Sequence, residues 1–474
     1  MVKPWDGFEV GGMHKVPAGV TLVVGLGVSG RAIARHLTRK GVPYMVADTR
    51  TAPPGLDDFR AAHPDVEIHC GPLTQLDLSE VGEVVLSPGV APDTPGLDSL
   101  VGRVHDASGE SLVVGEIALF VRDCQAPIAA ITGSNAKSTV TTLLGEMARA
   151  AGWNVAVGGN LGTPALDLLH DLPDADLYVL ELSSFQLETT PCLSAETAAF
   201  LNLSDDHLDR HGDMSGYRAA KLSIFRSARH GVINAEDPMT WPEVSMPALD
   251  RFTTHAPLNN EWGVAEYDDG SGETDWLMYG SEPLLPCHAL RLKGRHNQAN
   301  ALAALAMGRH LGLPMPAMLG ALERFSGLPH RGEVVAEMKG VIWINDSKGT
   351  NVGATLAAID GVGATLSGKL ILLAGGVGKG ADFTPLAMPL ARYAREAILF
   401  GRDAESLQCA LQDEVPTCRV TDLIAAMERA ASIAESGDCV LLSPACASLD
   451  QFVNYQERGE TFRRWVHERL GRQG

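Results

Sequence analysis

The clearest chemistry in the chain lies at residues 128–139. Ile128-Ala129-Ala130-Ile131 reads as a buried strand, Thr132-Gly133-Ser134-Asn135-Ala136 as a loop, and Lys137-Ser138-Thr139 as the start of a helix running through about residue 150. This is a P-loop in a variant spacing. Its backbone N–H groups cradle phosphate oxygens, Lys137 reaches the β- and γ-phosphates, and the hydroxyl of Ser138 or Thr139 ligates Mg²⁺. The ligand implied is ATP. The standard pattern has glycine at both 131 and 136, where this chain carries Ile131 and Ala136. Ala136 fits provided its φ is negative, because only positive φ strictly favours glycine.

A second glycine-rich turn, Gly25-Leu26-Gly27-Val28-Ser29-Gly30, matches G-x-G-x-x-G between a strand and a helix, and Asp48-Thr49-Arg50 closes the next strand. Such a turn brings backbone N–H groups to a diphosphate at a helix N-terminus. NAD is the alternative ligand, but no other part of the chain suggests hydride chemistry. Glu181 ends an apolar strand, a place from which a carboxylate holds Mg²⁺ in a P-loop protein. Ser204–His211 packs two histidines and three aspartates after another strand, suiting either a solvated loop or a metal or phosphate role. Asn297 and Asn300 open an Ala/Leu-rich helix and read equally well as caps. Lys221 alone would be an ordinary helix-surface lysine. Lys379 lies in a glycine-rich turn after a strand, and Ser448 with Gln451 matches the capping box S-x-x-Q.

Strands and helices alternate throughout, which predicts an α/β protein with parallel sheets covered on both faces and ligands beyond the carboxyl ends of strands. Three domains are expected: residues 1–116, 117–327 and 328–474, the first and last Rossmann-like and the middle one a P-loop ATPase. Strands are expected at 20–24, 44–48, 84–86, 128–131, 177–182, 197–203, 341–345, 370–374, 397–400 and 439–442. The polar patch 256–286 reads as hairpins or surface loops.

The 474 residues include 45% hydrophobic and 20% charged, enough to build packed cores. A net charge of −20 argues against nucleic acid or an anionic membrane as partner. No stretch approaches the roughly 18 apolar residues of a membrane span, and the N-terminus leads into no apolar signal region. The eight cysteines form no CxxC pair, so a disulfide scaffold and structural zinc are poor readings. A cytoplasmic location is expected. A monomer is expected too, since no heptad seam is visible.

The ordered motifs GSNAKST (133–139), GGNLGTPAL (158–166), LELSSFQLETT (180–190), DDHLDRHGD (205–213), YRAAKL (217–222), GRHNQANALAA (294–304), GLPHRGE (327–333), NDSKGTN (345–351) and LLSPACASLDQF (441–452) resemble the Mur ligase family. The similarity covers essentially the whole chain and is greatest to the glutamate-adding members. It implies ATP-dependent ligation of glutamate to UDP-N-acetylmuramoyl-L-alanine in peptidoglycan precursor synthesis, through an acyl phosphate.

The resemblance also implies site roles. Gly27, Val28, Ser29, Thr49, Arg50 and the turn Ser87-Pro88-Gly89 would grip the UDP group, and Asn160 the muramoyl-alanine end. Gly133, Asn135, Ala136, Lys137, Ser138 and Thr139 would bind ATP, with Asn297 and Asn300 at the adenine and Arg331, Asp346 and Lys348 reaching the nucleotide from the third domain. Ser138, Glu181 and His207 would hold Mg²⁺ at two sites, and Lys221 would be carbamylated to bind the second ion. Thr350, Lys379, Ser448, Leu449 and Tyr455 would hold glutamate. Ala136, Gly332, Val377 and Tyr455 depart from the family pattern. Val377 and Tyr455 stand near Lys379 and Ser448, and would either mark the variant that takes L-glutamate, with a separate epimerase, or be neutral in a D-glutamate enzyme.

Overall fold

A computed structural model describes residues 9–471 except 11, 12, 105–108, 110, 293, 364 and 365. The first large sheet has the strand order Ile68–Cys70, Tyr44–Asp48, Thr21–Val24, Glu83–Leu86, Val113–Gly115, all parallel. Thr21–Val24 lies at its centre and delivers the glycine-rich turn at its carboxyl end. A small separate sheet joins Glu9–Val10, Met13–Lys15 and Leu76–Asp77.

The middle sheet has nine strands, ordered Val155–Gly159, Leu177–Glu181, Ile128–Thr132, Thr197–Phe200, His230–Asn234, Ala248–Phe252, Trp262–Asp268, Glu273–Tyr279, Glu282–Pro286. Ile131 pairs with Glu181 on one side, and Thr132 with Phe200 on the other. The P-loop, Glu181 and the segment after Phe200 therefore leave the sheet at one edge and at one level. The strand Ile128–Thr132 is buried at every position, and full burial of each such Ile is worth about 1.5–3 kcal/mol. That holds the P-loop on a rigid base.

The third sheet is ordered Glu333–Met338, Val341–Asn345, Cys439–Leu442, Leu370–Gly375, Ala394–Phe400, Thr417–Arg419. Leu442 pairs with both Asn345 and Leu373, so the loops after residues 345, 375 and 442 converge.

Residues 262–286 form the expected hairpins, and one other stretch departs from the expected parallel sheets. Trp262–Pro286 is a three-stranded antiparallel extension, and Glu333–Met338 runs antiparallel to Val341–Asn345. The cause is local: Lys339 and Gly340 both have positive φ (53° and 75°) and make a two-residue turn, too short for a parallel crossover. No helix among the described residues is long and apolar enough to cross a membrane.

Candidate active site

The helix Lys137–Ala150 opens directly on the P-loop. Lys137 Nζ folds back onto the carbonyls of Gly133 and Ser134, both at 2.8 Å. Asn135 is clamped by its neighbours: its N–H donates to Asn202 Oδ1 at 2.8 Å, and its Oδ1 accepts from Asn351 Nδ2 at 3.2 Å. Ala136 does not have the negative φ expected of it. It sits at φ 65°, the left-handed N-cap position of the helix. The chain must reverse there to aim the loop's N–H groups inward, and the strain is accepted rather than avoided.

The Ser138 hydroxyl donates to Glu181 and accepts from Arg331 Nη2 at 2.6 Å. Asn160 Nδ2 donates to Glu181 Oε1 at 2.9 Å. Burial pushes the Glu181 carboxyl up, but Lys137, Ser138, Asn160 and Arg331 together outweigh it and hold it below the usual range. Glu181 is thus an anion in a buried setting. Burial pushes Lys137 down, with Arg331 adding and Glu181 and Asp206 opposing.

Lys221 is not a surface lysine. It is 1% exposed, and its Nζ donates to the Gly133 carbonyl at 2.7 Å over the Tyr217 ring. Burial, reinforced by Lys137, drives its pKa well down. His207 takes φ 55° with its Nε2 3.5 Å from Asp206 Oδ2 and its ring edge-on to Phe185, and burial lowers its pKa against the opposing charge of Asp206.

The third domain closes the site with cations. Besides Arg331, Lys379 Nζ stands 3.6 Å from Asp206 Oδ1, and the Lys348 ammonium lies 4.1 Å from the centre of the Tyr455 ring. Burial lowers Lys348 to about 8, with Arg331 and Lys137 adding. Asp346 accepts from Ser443 Oγ at 2.7 Å and from Gly332 N–H at 3.1 Å, and burial raises it to about 6. Gly332 has φ 58°, a left-handed conformation that glycine adopts without strain.

Two further expectations change with tertiary context. Ser448 and Gln451 form no capping box: the segment is a turn, and Gln451 Nε2 donates to the Thr421 carbonyl at 3.0 Å. The capping box is at Ser183–Gln186, inside the LELSSFQ motif. Asn297 and Asn300 are not caps either; Gly294 is the N-cap, and Asn300 donates to Asn297 Oδ1 at 3.2 Å within the helix Arg295–His310. Thr350 is half-buried beside Lys348, Ser448 is buried, and Leu449 is exposed. Val377 exchanges backbone hydrogen bonds with Ala447 at 2.8 and 2.9 Å, tying the Lys379 loop to the Ser448 loop.

In the first domain, Asp48 is taken up internally. It accepts from Leu26 N–H at 2.8 Å and from Arg50 Nε at 2.8 Å, which leaves Arg50, Thr49 and exposed Val28 facing outward at the turn. Gly27 caps the helix, and Ser87 packs beneath it, leading into Pro88 and Gly89. A Cβ on Gly30 would stand 1.7 Å from the Gly25 carbonyl oxygen, so that glycine is a steric necessity.

Sequence reasoning missed Asn202, Asn351 and Arg458. The guanidinium of Arg458 is fully buried and donates to the carbonyls of Ser347, Cys446 and Gly375, pinning three loops of the third domain together. Its only sequence signal was an arginine one turn after Tyr455.

The donor set suits Mg²⁺, which takes oxygen ligands and leaves places for phosphate and water. Ser138 Oγ and the anionic Glu181 supply one such edge. At a second position His207 would offer an imidazole nitrogen, and Lys221 would offer oxygen only once its amine carries an acid group.

Three family models cover most of the chain: the Mur ligase MurD-like N-terminal domain over residues 19–106, the Mur ligase middle domain over 131–308, and the Mur ligase glutamate ligase domain over 330–446. The chain belongs to the Mur ligase family. It is 68% identical to the UDP-N-acetylmuramoylalanine–D-glutamate ligase of Chromohalobacter salexigens over 96% of this chain and 98% of that one. It is 52% identical to the enzyme of the same name from Pseudomonas aeruginosa, over 94% and 97%. Among solved structures, the UDP-N-acetylmuramate–alanine ligase of Thermotoga maritima shares the fold at a TM-score of 0.57 and 18% identity, covering 96% of this chain and all of that one. The Mur ligase MurF of the same organism, solved with ADP, gives 0.57 at 16% identity, covering 96% of each chain.

Proposed function

We propose that this Mur ligase joins D-glutamate to UDP-N-acetylmuramoyl-L-alanine at the expense of ATP. The observation that carries the reading is the meeting of Lys137, Ser138 and Glu181 with Arg331, Lys348 and Lys379 across two domains. The D-glutamate-adding relatives support the acceptor; nothing favours L-glutamate, and Val377 and Tyr455 read as neutral in a D-glutamate enzyme.

The free carboxylate of UDP-N-acetylmuramoyl-L-alanine attacks the γ-phosphorus of ATP, and the bond to the ADP oxygen breaks. The amine of glutamate then attacks the acyl carbon, loses a proton, and inorganic phosphate leaves. Such a transfer needs positioning and neutralised charge more than covalent help. Lys137, Arg331 and Lys348 balance the phosphates, Asn160 beside Glu181 orients the muramoyl-alanine end, and Lys379 holds the acceptor side. Gly133, Asn135, Ala136 and Thr139 complete the phosphate cradle, with Asn297, Asn300 and Asp346 at the nucleoside. Gly27, Val28, Ser29, Thr49, Arg50 and Ser87–Gly89 take the UDP, and Thr350, Ser448, Leu449 and Tyr455 line the glutamate place.

Mg²⁺ would be held by Ser138 and Glu181, and at a second position by His207 and a carbamate on Lys221; when bound it offsets phosphate charge. Attack of the buried, neutral Lys221 amine on CO₂, with loss of one proton, gives that carbamate. We assign domains to residues 1–116, 117–327 and 328–474, and infer a monomer acting in the cytoplasm.

Phosphate release from ATP and Mg²⁺ with UDP-N-acetylmuramoyl-L-alanine, run with D- and with L-glutamate, tests the reading. Release with D-glutamate alone is expected. Release with L-glutamate alone overturns the acceptor, and silence with both overturns the function.

A further inference from the structure

The first and middle sheets meet at three helices. Val28–Lys40 opens at the glycine-rich turn, Glu116–Asp123 follows the last strand of the first sheet, and Ala165–Asp171 follows the loop that carries Asn160. Arg35 Nε bonds Asp167 Oδ1 at 3.0 Å, and Lys40 bonds Asp123 at 2.6 Å. Glu116 lies where these helices meet, 1% exposed. The Leu166 N–H donates to its Oε1 at 3.3 Å, and the Ser29 hydroxyl and the Ala165 N–H face the same carboxyl. Its Oε2 has no partner. Burial pushes this carboxyl up, and Asp167 adds to the effect, favouring the neutral acid. Packing alone does not call for an acid here. An apolar residue of similar volume would fill the space without stranding a polar oxygen.

We propose that Glu116 is a positioning residue for the UDP-sugar substrate: by holding Ser29 against Ala165 and Leu166, it fixes the distance between the glycine-rich turn and the Asn160 loop. A substrate that spans both loops feels that distance, whereas a ligand gripped by one loop does not. The turn itself keeps its shape without Glu116, because the close approach of Gly30 to Gly25 and the Leu26–Asp48 hydrogen bond set it independently. The inference rests on the UDP-N-acetylmuramoyl-L-alanine reading given above.

The test compares the full-length wild type, Glu116→Leu and Glu116→Gln by calorimetric binding of UDP-N-acetylmuramoyl-L-alanine, UDP and ADP. Leu keeps the packing but leaves the Leu166 N–H without its acceptor, so ADP binding serves as the check that the fold is retained. Glu116→Leu should weaken the full substrate by about 10-fold or more, weaken UDP by less than about 3-fold and leave ADP unchanged, and Glu116→Gln should stay within about 3-fold of wild type throughout. Equal weakening of UDP and full substrate overturns the proposal, as does no weakening by Leu or a Gln variant as damaged as Leu. A wild type that binds ADP but not UDP-N-acetylmuramoyl-L-alanine overturns the functional reading instead.

Discussion

At the scale of single residues, the site concentrates backbone strain. Ala136, His207, His330, Lys379 and Ala445 all have positive φ and all border it. A left-handed alanine costs roughly 1–2 kcal/mol, part of which glycine gives back in unfolded-chain entropy. Ala136→Gly should therefore stabilise the protein by about 0.5–1 kcal/mol, read as a higher denaturant midpoint with unchanged slope. Asp346 carries a different cost. Below the usual pKa of 3.8 both folded and unfolded forms are protonated; as pH rises to about 6 the unfolded chain ionises first, so stability falls, and above that the penalty is constant. Asp346→Asn should then raise stability by about 3 kcal/mol at pH 8 and by much less at pH 4, while lowering activity if Asp346 serves the nucleotide. Lys348 loses its charge above about 8. Turnover should decline on the basic side near that pH, and Lys348→Arg, charged throughout, should move the decline upward in a pH–rate profile.

At the scale of elements, strand ends carry the function and caps aim it. Ser183 accepts from Gln186 N–H at 3.2 Å, and Gln186 Oε1 accepts from Ser183 N–H at 3.0 Å. This box starts the helix Ser184–Glu188 just after Glu181, and it sets the direction in which the chain leaves the sheet. Ser183→Ala should cost about 1 kcal/mol in chemical denaturation. The P-loop, the glycine-rich turn and the strands at 44–48, 341–345 and 439–442 were legible because strand periodicity and glycine punctuation are local signals. The Ser448–Gln451 box was misread for a matching reason. S-x-x-Q states only what a side chain is able to do, and here the Gln451 side chain turns away from Ser448 to donate to the Thr421 carbonyl.

At the scale of the whole molecule, the domains are joined unequally. One apolar cluster runs through Val23, Leu37, Val85, Phe120, Leu166, Leu187 and Ile233, so the first and middle sheets share a core. The third domain has clusters of its own, from Ile344 to Cys446 and from Met338 to Val466. The contacts it makes at the site are polar: Arg331 with Ser138, Asn351 with Asn135, and Lys379 with Asp206. Partly exposed polar pairs of this kind contribute little. Calorimetry should show two unfolding transitions, one for the first two domains together and one for the third, and limited proteolysis should cut first between them near residues 325–332. A single transition would contradict this division.

The sequence by itself determined the α/β class, the P-loop, the glycine-rich turn and the family, because each is written in short-range spacing of glycines, lysines and apolar residues. Tertiary structure alone decided the rest. It made Lys221 a buried amine and not a surface one, because Tyr217 and the P-loop carbonyls close over it. It gave Ala136 a left-handed backbone, gave Glu181 its charge through four neighbours from distant segments, and left Glu116 an acid with one unpartnered oxygen. For Lys221, Glu181 and Glu116 the physical reason is the same: burial and electrostatic partners come from chain segments far apart in sequence, and no local pattern encodes which of them will meet.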